Sequence, residues 1–135
     1  QLVRKERMKR ARQEEAEFEE ALASFLVTTE SGFEGYRIRR YLDVIFDEDI
    51  VGAGLGLTIK SIAGLFTSSA NKEAREVVDL VRQLKESMKL RLIRQAHDLG
   101  ANALIGLDFD MVMSEQASSI LLSAKGTAVE VEPLA

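Results

Sequence analysis

Between Leu99 and Asp110 the hydrophobic period of this chain changes from that of a helix to that of a strand. Upstream, Ala74, Val77, Val81, Leu84, Met88, Leu92, Ala96 and Leu99 recur at three- and four-residue spacing, a stripe broad enough to lie on a sheet. Downstream, Ala101, Ala103, Ile105, Leu107, Phe109, Met111 and Met113 alternate with Leu104, Asp108, Asp110 and Val112. Gly100 stands between them, where a helix takes a left-handed C-terminal cap. A helix must therefore run almost without a loop into a buried strand.

The flanking segments fill in an order around this junction. Asn71 is a fitting N-cap for the long helix, with Glu73 in its first turn. At about 1.5 Å per residue that helix spans roughly 40 Å, long for a domain of this size. Before it, Phe25 to Thr29 is β-branched and aromatic, hence a strand, and residues 30–35 form a turn. Tyr36, Ile38, Leu42, Val44 and Phe46 then share one strand face, interrupted by Arg40; Arg37, Arg39, Tyr41, Asp43 and Asp47 share the other. Asp47-Glu48-Asp49 reads as a solvated turn closing that strand. Gly52, Gly54 and Gly56 space out a connection, and Leu55, Ile59, Ile62, Ala63 and Phe66 suggest a short helix ending over 64–69. Residues 115–118 form a turn. A last strand follows over Ser119–Glu132, with Ile120, Leu122, Ala124, Gly126 and Ala128 on one face. Val129 and Val131 fall out of phase, which predicts a β-bulge or bend near Gly126. The order predicts an α+β protein: a mostly antiparallel sheet packed against one long helix, with an extra N-terminal helix.

That extra helix, residues 1–24, forms a charged arm ahead of a domain over 25–135. It is free of Gly and Pro and rich in helix formers. Met8, Ala11, Phe18, Leu22 and Phe25 follow a 3–4 spacing with Glu15 interrupting, a seam too thin for the main core. Arg4, Lys5, Arg7, Lys9, Arg10 and Arg12 come first, and Glu14, Glu15, Glu17, Glu19 and Glu20 follow. This order opposes the helix macrodipole, so a free end should fray. The plainer reading is a solvated arm; the sharper one is a coiled-coil or partner-binding helix.

Composition narrows the classes of function. A chain of 135 residues has room for one domain. A net charge of -4 argues against a nucleic-acid partner, and no apolar run approaches a membrane span. No signal peptide is visible, so the expected location is cytoplasmic, although the chain opens on Gln1 rather than Met. There is no Cys and one His, His97, so no nucleophile–base cluster emerges and the expectation is a non-enzyme. Gly-x-Gly-x-Gly at 52–56 lacks the Gly-Lys-Ser/Thr ending of a phosphate loop and reads more simply as a backbone bend. Asp108 and Asp110 share a strand face, and Asp43 could lie on a neighbouring strand, so these three, with His97, are the candidate ligands for a divalent metal ion. The plainer reading pairs the aspartates across strands with Arg37 and Arg39. Met111 and Met113 fit the core better than a soft-metal site.

Gly35-Tyr36-Arg37-Ile38, Tyr41-Leu42-Asp43-Val44, the turn at Gly52, Leu99-Gly100-Ala101-Asn102-Ala103, Gly106 and Ala124-Lys125-Gly126-Thr127-Ala128-Val129 together resemble the YbjQ-like family, over about residues 26–132. Members of that family carry the label of heavy-metal-binding domains. The resemblance implies a bacterial, dodecin-like α+β subunit assembled into a ring, commonly a pentamer, with subunits joined through their sheets. The expected function is a non-enzymatic homo-oligomeric binding module taking metal ions or a small ligand at subunit interfaces. The alternative is a scaffolding ring whose residues 1–24 recruit a protein partner. A soft-metal site wants Cys or several His, which this chain lacks.

Overall fold

A computed structural model describes residues 1–52, 72–114, 116 and 119–135, with backbone alone for 72–74. The predicted short helix and its glycine-spaced approach, the Asn71 cap, the Glu73 and Ala74 side chains and most of the 115–118 turn lie outside the described residues. The elements are α1 (Leu2–Ser24), β1 (Leu26–Val27), β2 (Tyr36–Val51), α2 (Lys72–Asp98), β3 (Ala103–Ser114) and β4 (Ser119–Pro133). They make an α+β fold with one four-stranded sheet in the order β1-β3-β4-β2. β2, β4 and β3 pair antiparallel, and β1 adds to β3 in parallel, so the sheet is mixed.

The junction forms as its residues require. Gly100 adopts φ 91°, the left-handed region. Its N–H bonds the His97 carbonyl at 2.9 Å, and the Ala101 N–H reaches back to Ala96 at 2.9 Å. That is the paired 5→2 and 6→1 bonding of a Schellman cap. Leu99 falls beyond the last turn and is exposed, so it leaves the stripe predicted for it. Asn102 then acts as a piece of strand. Its side-chain amide donates to the Val131 carbonyl at 2.8 Å and accepts from the Val131 N–H at 2.7 Å. Its backbone N–H bonds Val129, and its carbonyl accepts from Leu26.

The helix-facing side of the sheet holds the main core: Leu104, Leu107, Ile120, Leu122, Ala124, Ala128, Ile45 and Val51 meet Val77, Val81, Met88, Leu92 and Ala96 of α2. A smaller cluster lies on the opposite side at one end, where Ala103, Ile105, Val129 and Val131 are covered by Leu26, Phe33 and Ile38. This second cluster explains the apparent slip in β4. The strand alternates without a break; its odd-numbered face becomes buried only from Val129 onward. Gly126 is instead a close approach: a Cβ there would sit 2.8 Å from Leu104 Cδ1 and 3.4 Å from the Ile105 carbonyl oxygen.

The bulges lie in the partners of β4. In β3 the register slips between Ile105 and Asp108, around Gly106 at φ 62°. Residues 103 and 105 therefore face the small cluster, and Leu107 onward faces the helix, so the single face predicted for 101–113 is two. In β2 slips fall between Ile38 and Arg40 and between Tyr41 and Asp43. The two slips cancel: Tyr36, Ile38, Val44 and Phe46 all lie opposite odd-numbered residues of β4, on the outer face as one predicted set, and only Arg40 and Tyr41 between the slips exchange sides. That outer face is covered at Ile38 and bare at Val44 and Phe46, while Ile45 is buried on the helix side, so the apolar set predicted to be covered is largely the exposed one. The strand also continues to Val51, so Asp47-Glu48-Asp49 is not a turn. Asp47 and Asp49 take Arg91 of α2 at 2.8 and 3.3 Å, and Gln95 donates to the Phe46 carbonyl at 3.1 Å. The hydrogen bond that Arg91 donates to Asp47 raises its pKa above the ordinary value, against a smaller lowering by desolvation.

Two substitutions test this packing. Gly126→Ala pushes a methyl into fully buried Leu104 and is expected to cost about 1–3 kcal/mol in chemical denaturation. Asn102→Ala strips the side-chain partner from both the N–H and the C=O of Val131 and should cost a similar ~1–3 kcal/mol. Asn102→Asp should restore little of that loss, because a carboxylate has no N–H to offer the Val131 carbonyl.

Candidate functional site

The outer face of the sheet, away from α2, is the surface on which the predicted residues gather. The Gly106 bulge sets Asp108, Asp110 and Val112 outward; β4 adds Leu121, Ser123 and Lys125, and β2 adds Val44, Phe46, Glu48 and Ile50. The register sets Asp108 opposite Lys125, which in turn lies opposite Phe46; Asp110 lies opposite Ser123, which lies opposite Glu48. Phe46, Glu48, Asp108, Asp110, Ser123 and Lys125 line a shallow cavity of about 200 Å³. Around it the surface is unusually apolar for the outside of a sheet: Tyr41 is 69%, Ile50 68%, Phe46 63% and Val112 55% exposed.

Of the four candidate ligands, only Asp108 and Asp110 belong to this cavity. Asp43 lies on β2, opposite Ala128 on the helix side, and β4 separates β2 from β3. Its carboxylate accepts the Val44 N–H at 2.8 Å. The same intervening strand corrects the expected pairing with Arg37 and Arg39. Those arginines pair with Glu132 and Glu130 of β4, and Arg40 joins Glu130 at 3.4 Å. His97 lies at the end of α2, its ring 5.4 Å from that of Phe18. It lines a separate cleft with Glu14, Glu17, Arg94 and Asp98.

At that cleft part of the charged arm packs on the body, outside the main core. Phe18 is only 5% exposed, with the Arg94 guanidinium 4.3 Å from its ring centre, and Arg94 also bonds Glu15 at 2.8 Å. The second half of α1 docks; residues 1–17 are all exposed.

A family model described as "Putative heavy-metal-binding", the YbjQ model, matches residues 25–132. The chain belongs to the YbjQ-like family. A UPF0145 protein of Clostridium kluyveri is 33% identical over 108 residues, 79% of this chain and 99% of that protein. A UPF0145 protein of Caulobacter vibrioides is 33% identical over 105 residues, 77% of this chain and 97% of its own length. Among solved structures, a Pediococcus pentosaceus protein of unknown function from the DUF74 family superposes with a TM-score of 0.52 at 20% identity, covering 80% of this chain and 98% of that one. At that identity the likeness speaks for the fold alone.

The donor set of this YbjQ-like chain does not fit a thiophilic heavy metal. The chain has no Cys and one His, and the cavity offers carboxylates beside a lysine. Among the described residues no three His, Asp or Glu side chains form a group able to hold a metal ion.

Sequence reasoning missed Phe46, Glu48 and Lys125 on this face. Phe46 does share its face with Val44 as the alternation says, but no local signal tells that this stretch of the face is left uncovered. Phe18→Ala should release α1 from α2. About 1.5–3 kcal/mol of docking energy is lost, read as faster amide exchange over 14–24 with the sheet amides still protected.

Proposed function

We propose that this chain is the subunit of a non-enzymatic homo-oligomeric binding module, a ring joined through the outer faces and edges of its sheets. The observation that carries this reading is the apolar outer face. Tyr41, Val44, Phe46, Ile50 and Val112 stand half or more exposed on one side of a single sheet, and such a patch on a soluble domain marks an interaction surface. A ring of five is the assembly that the family resemblance implies. Within it, Asp108 and Asp110 from adjacent subunits would supply the oxygen donors that one chain lacks. The ligand is then a hard divalent cation or a small cationic molecule rather than a soft metal.

Native mass spectrometry reads this directly. An oligomer is expected for the unaltered chain, and Phe46→Asp with Val112→Asp is expected to lose the sheet-joined ring while staying folded. A chain that is already monomeric at micromolar concentration would overturn the ring. Calorimetric titration of the oligomer with Mn²⁺ and Zn²⁺ tests the cation. Heat lost in Asp108→Asn/Asp110→Asn supports it, and no heat in the unaltered oligomer removes it.

A second reading, a ring that recruits a protein through α1, is favoured by the exposed first half of that helix, where Leu2, Val3 and Met8 all face solvent.

A further inference from the structure

The charges of α1 are sorted by sign along its length. Residues 1–12 carry six Lys and Arg against one Glu, and residues 13–24 carry five Glu and neither Lys nor Arg. The first turn holds no acid and the last turn no base, so the helix runs with its charges against its own macrodipole. Docking leaves this uncompensated: Arg94 meets Glu15, while the basic half lies wholly exposed.

We propose that α1 pairs antiparallel with the α1 of a second copy of this chain, basic half against acidic half. An antiparallel partner brings carboxylates beside the N-terminal bases and bases beside the C-terminal acids of both helices. It also opposes the two macrodipoles. A parallel partner would align like charges along the full length, at a cost of similar size to the gain. The arrangement is isologous, as a two-fold contact must be. Superposing the charge blocks sets the two-fold axis beside Arg12 and Gln13, with Lys5 opposite Glu20 of the partner subunit. At about 100° per residue, Leu2, Lys5, Lys9, Gln13 and Glu20 share the face turned away from Phe18. All five are exposed, so the face that pairs is not the face that docks. The seam is thin in apolar residues, so attraction between exposed charges carries the contact and salt weakens it.

The absence of Cys makes the test clean. Single Gln13→Cys, Leu2→Cys and Thr29→Cys chains are oxidised at low salt, the last as a control on the domain body. Antiparallel pairing sets the Gln13 positions across a helix contact of about 8–10 Å and the Leu2 positions roughly 30 Å apart. Crosslinking of Gln13→Cys above both others is expected, with loss at 1 M NaCl. Adding Glu20→Lys, on the pairing face, should abolish it. Mixing that chain with one carrying Lys5→Glu, Lys9→Glu and Gln13→Cys should restore it, which a folding defect would not do. Leu2→Cys crosslinking as readily as Gln13→Cys would overturn the proposal, as would Gln13→Cys crosslinking no better than Thr29→Cys. Repeating the test in the Phe46→Asp/Val112→Asp background separates this contact from the sheet-mediated ring.

Discussion

The fold depends on a reversal of direction completed within four residues. At Asp98 the chain is still helix, and by Asn102 it is already bonded to β4 and β1. The left-handed Gly100 makes this possible, since most side chains at φ 91° carry a steric penalty. Ala96 and Ala101 close the cap, and both are buried in the main core. Asn102 extends the β3–β4 ladder beyond the end of β3 by lending its side-chain amide to Val131. It also receives Leu26, which fixes the register of β1. One short segment thus ties α2 to three strands, and the seating of the helix on the sheet follows from it.

Gly106 sets the second condition. Its bulge turns β3 over, so that one strand serves the small cluster with Ala103 and Ile105 and the main core with Leu104 and Leu107. A bulge frees backbone groups, and the segment after β1 collects them. The Gly106 N–H bonds the Glu30 carbonyl at 2.8 Å, the Leu107 N–H bonds Thr28 at 3.1 Å, and the Thr28 N–H bonds Leu104 at 3.0 Å. Once past the bulge, Asp108, Asp110 and Val112 have no choice but the outer face. The candidate site exists because of where the bulge falls.

Much of this was legible in the residues. The change of period at Gly100, the strands on either side of α2 and the α+β class all follow from local rules, because caps and alternation act over a few residues. What was not legible depended on strand order. Asp43 and Asp108 could be neighbours only if β2 and β3 pair, and β4 lies between them. Pairing with Arg37 and Arg39 failed for the same reason. Phase was the other loss. A bulge adds one residue and exchanges inside for outside, as the one at Gly106 does for the rest of β3; in β2 two slips cancel, and only Arg40 and Tyr41 between them change sides. Arg40 in β2 and Gly106 in β3 mark those sites, but alternation read straight through them. In β4 the error ran the other way: Val129 and Val131 suggested a bulge where the strand is regular, because burial on both faces looks the same in one dimension.

The two parts of the chain handle charge differently. In the domain, opposite charges meet within the fold: Arg91 with Asp47 and Asp49, Arg37 with Glu132, and Arg39 and Arg40 with Glu130. Such exposed pairs are each worth about 0–1 kcal/mol, so they trim register and solubility rather than hold the core. In α1 the charges are sorted by sign along the axis, which adds nothing to the helix itself and works against its dipole. Sorting becomes favourable only beside a surface of the inverse pattern. Among the described residues, the domain meets α1 with one ion pair, Arg94 with Glu15, one of the five acids in the second half of the helix. The inverse of the whole pattern is the same helix turned end for end.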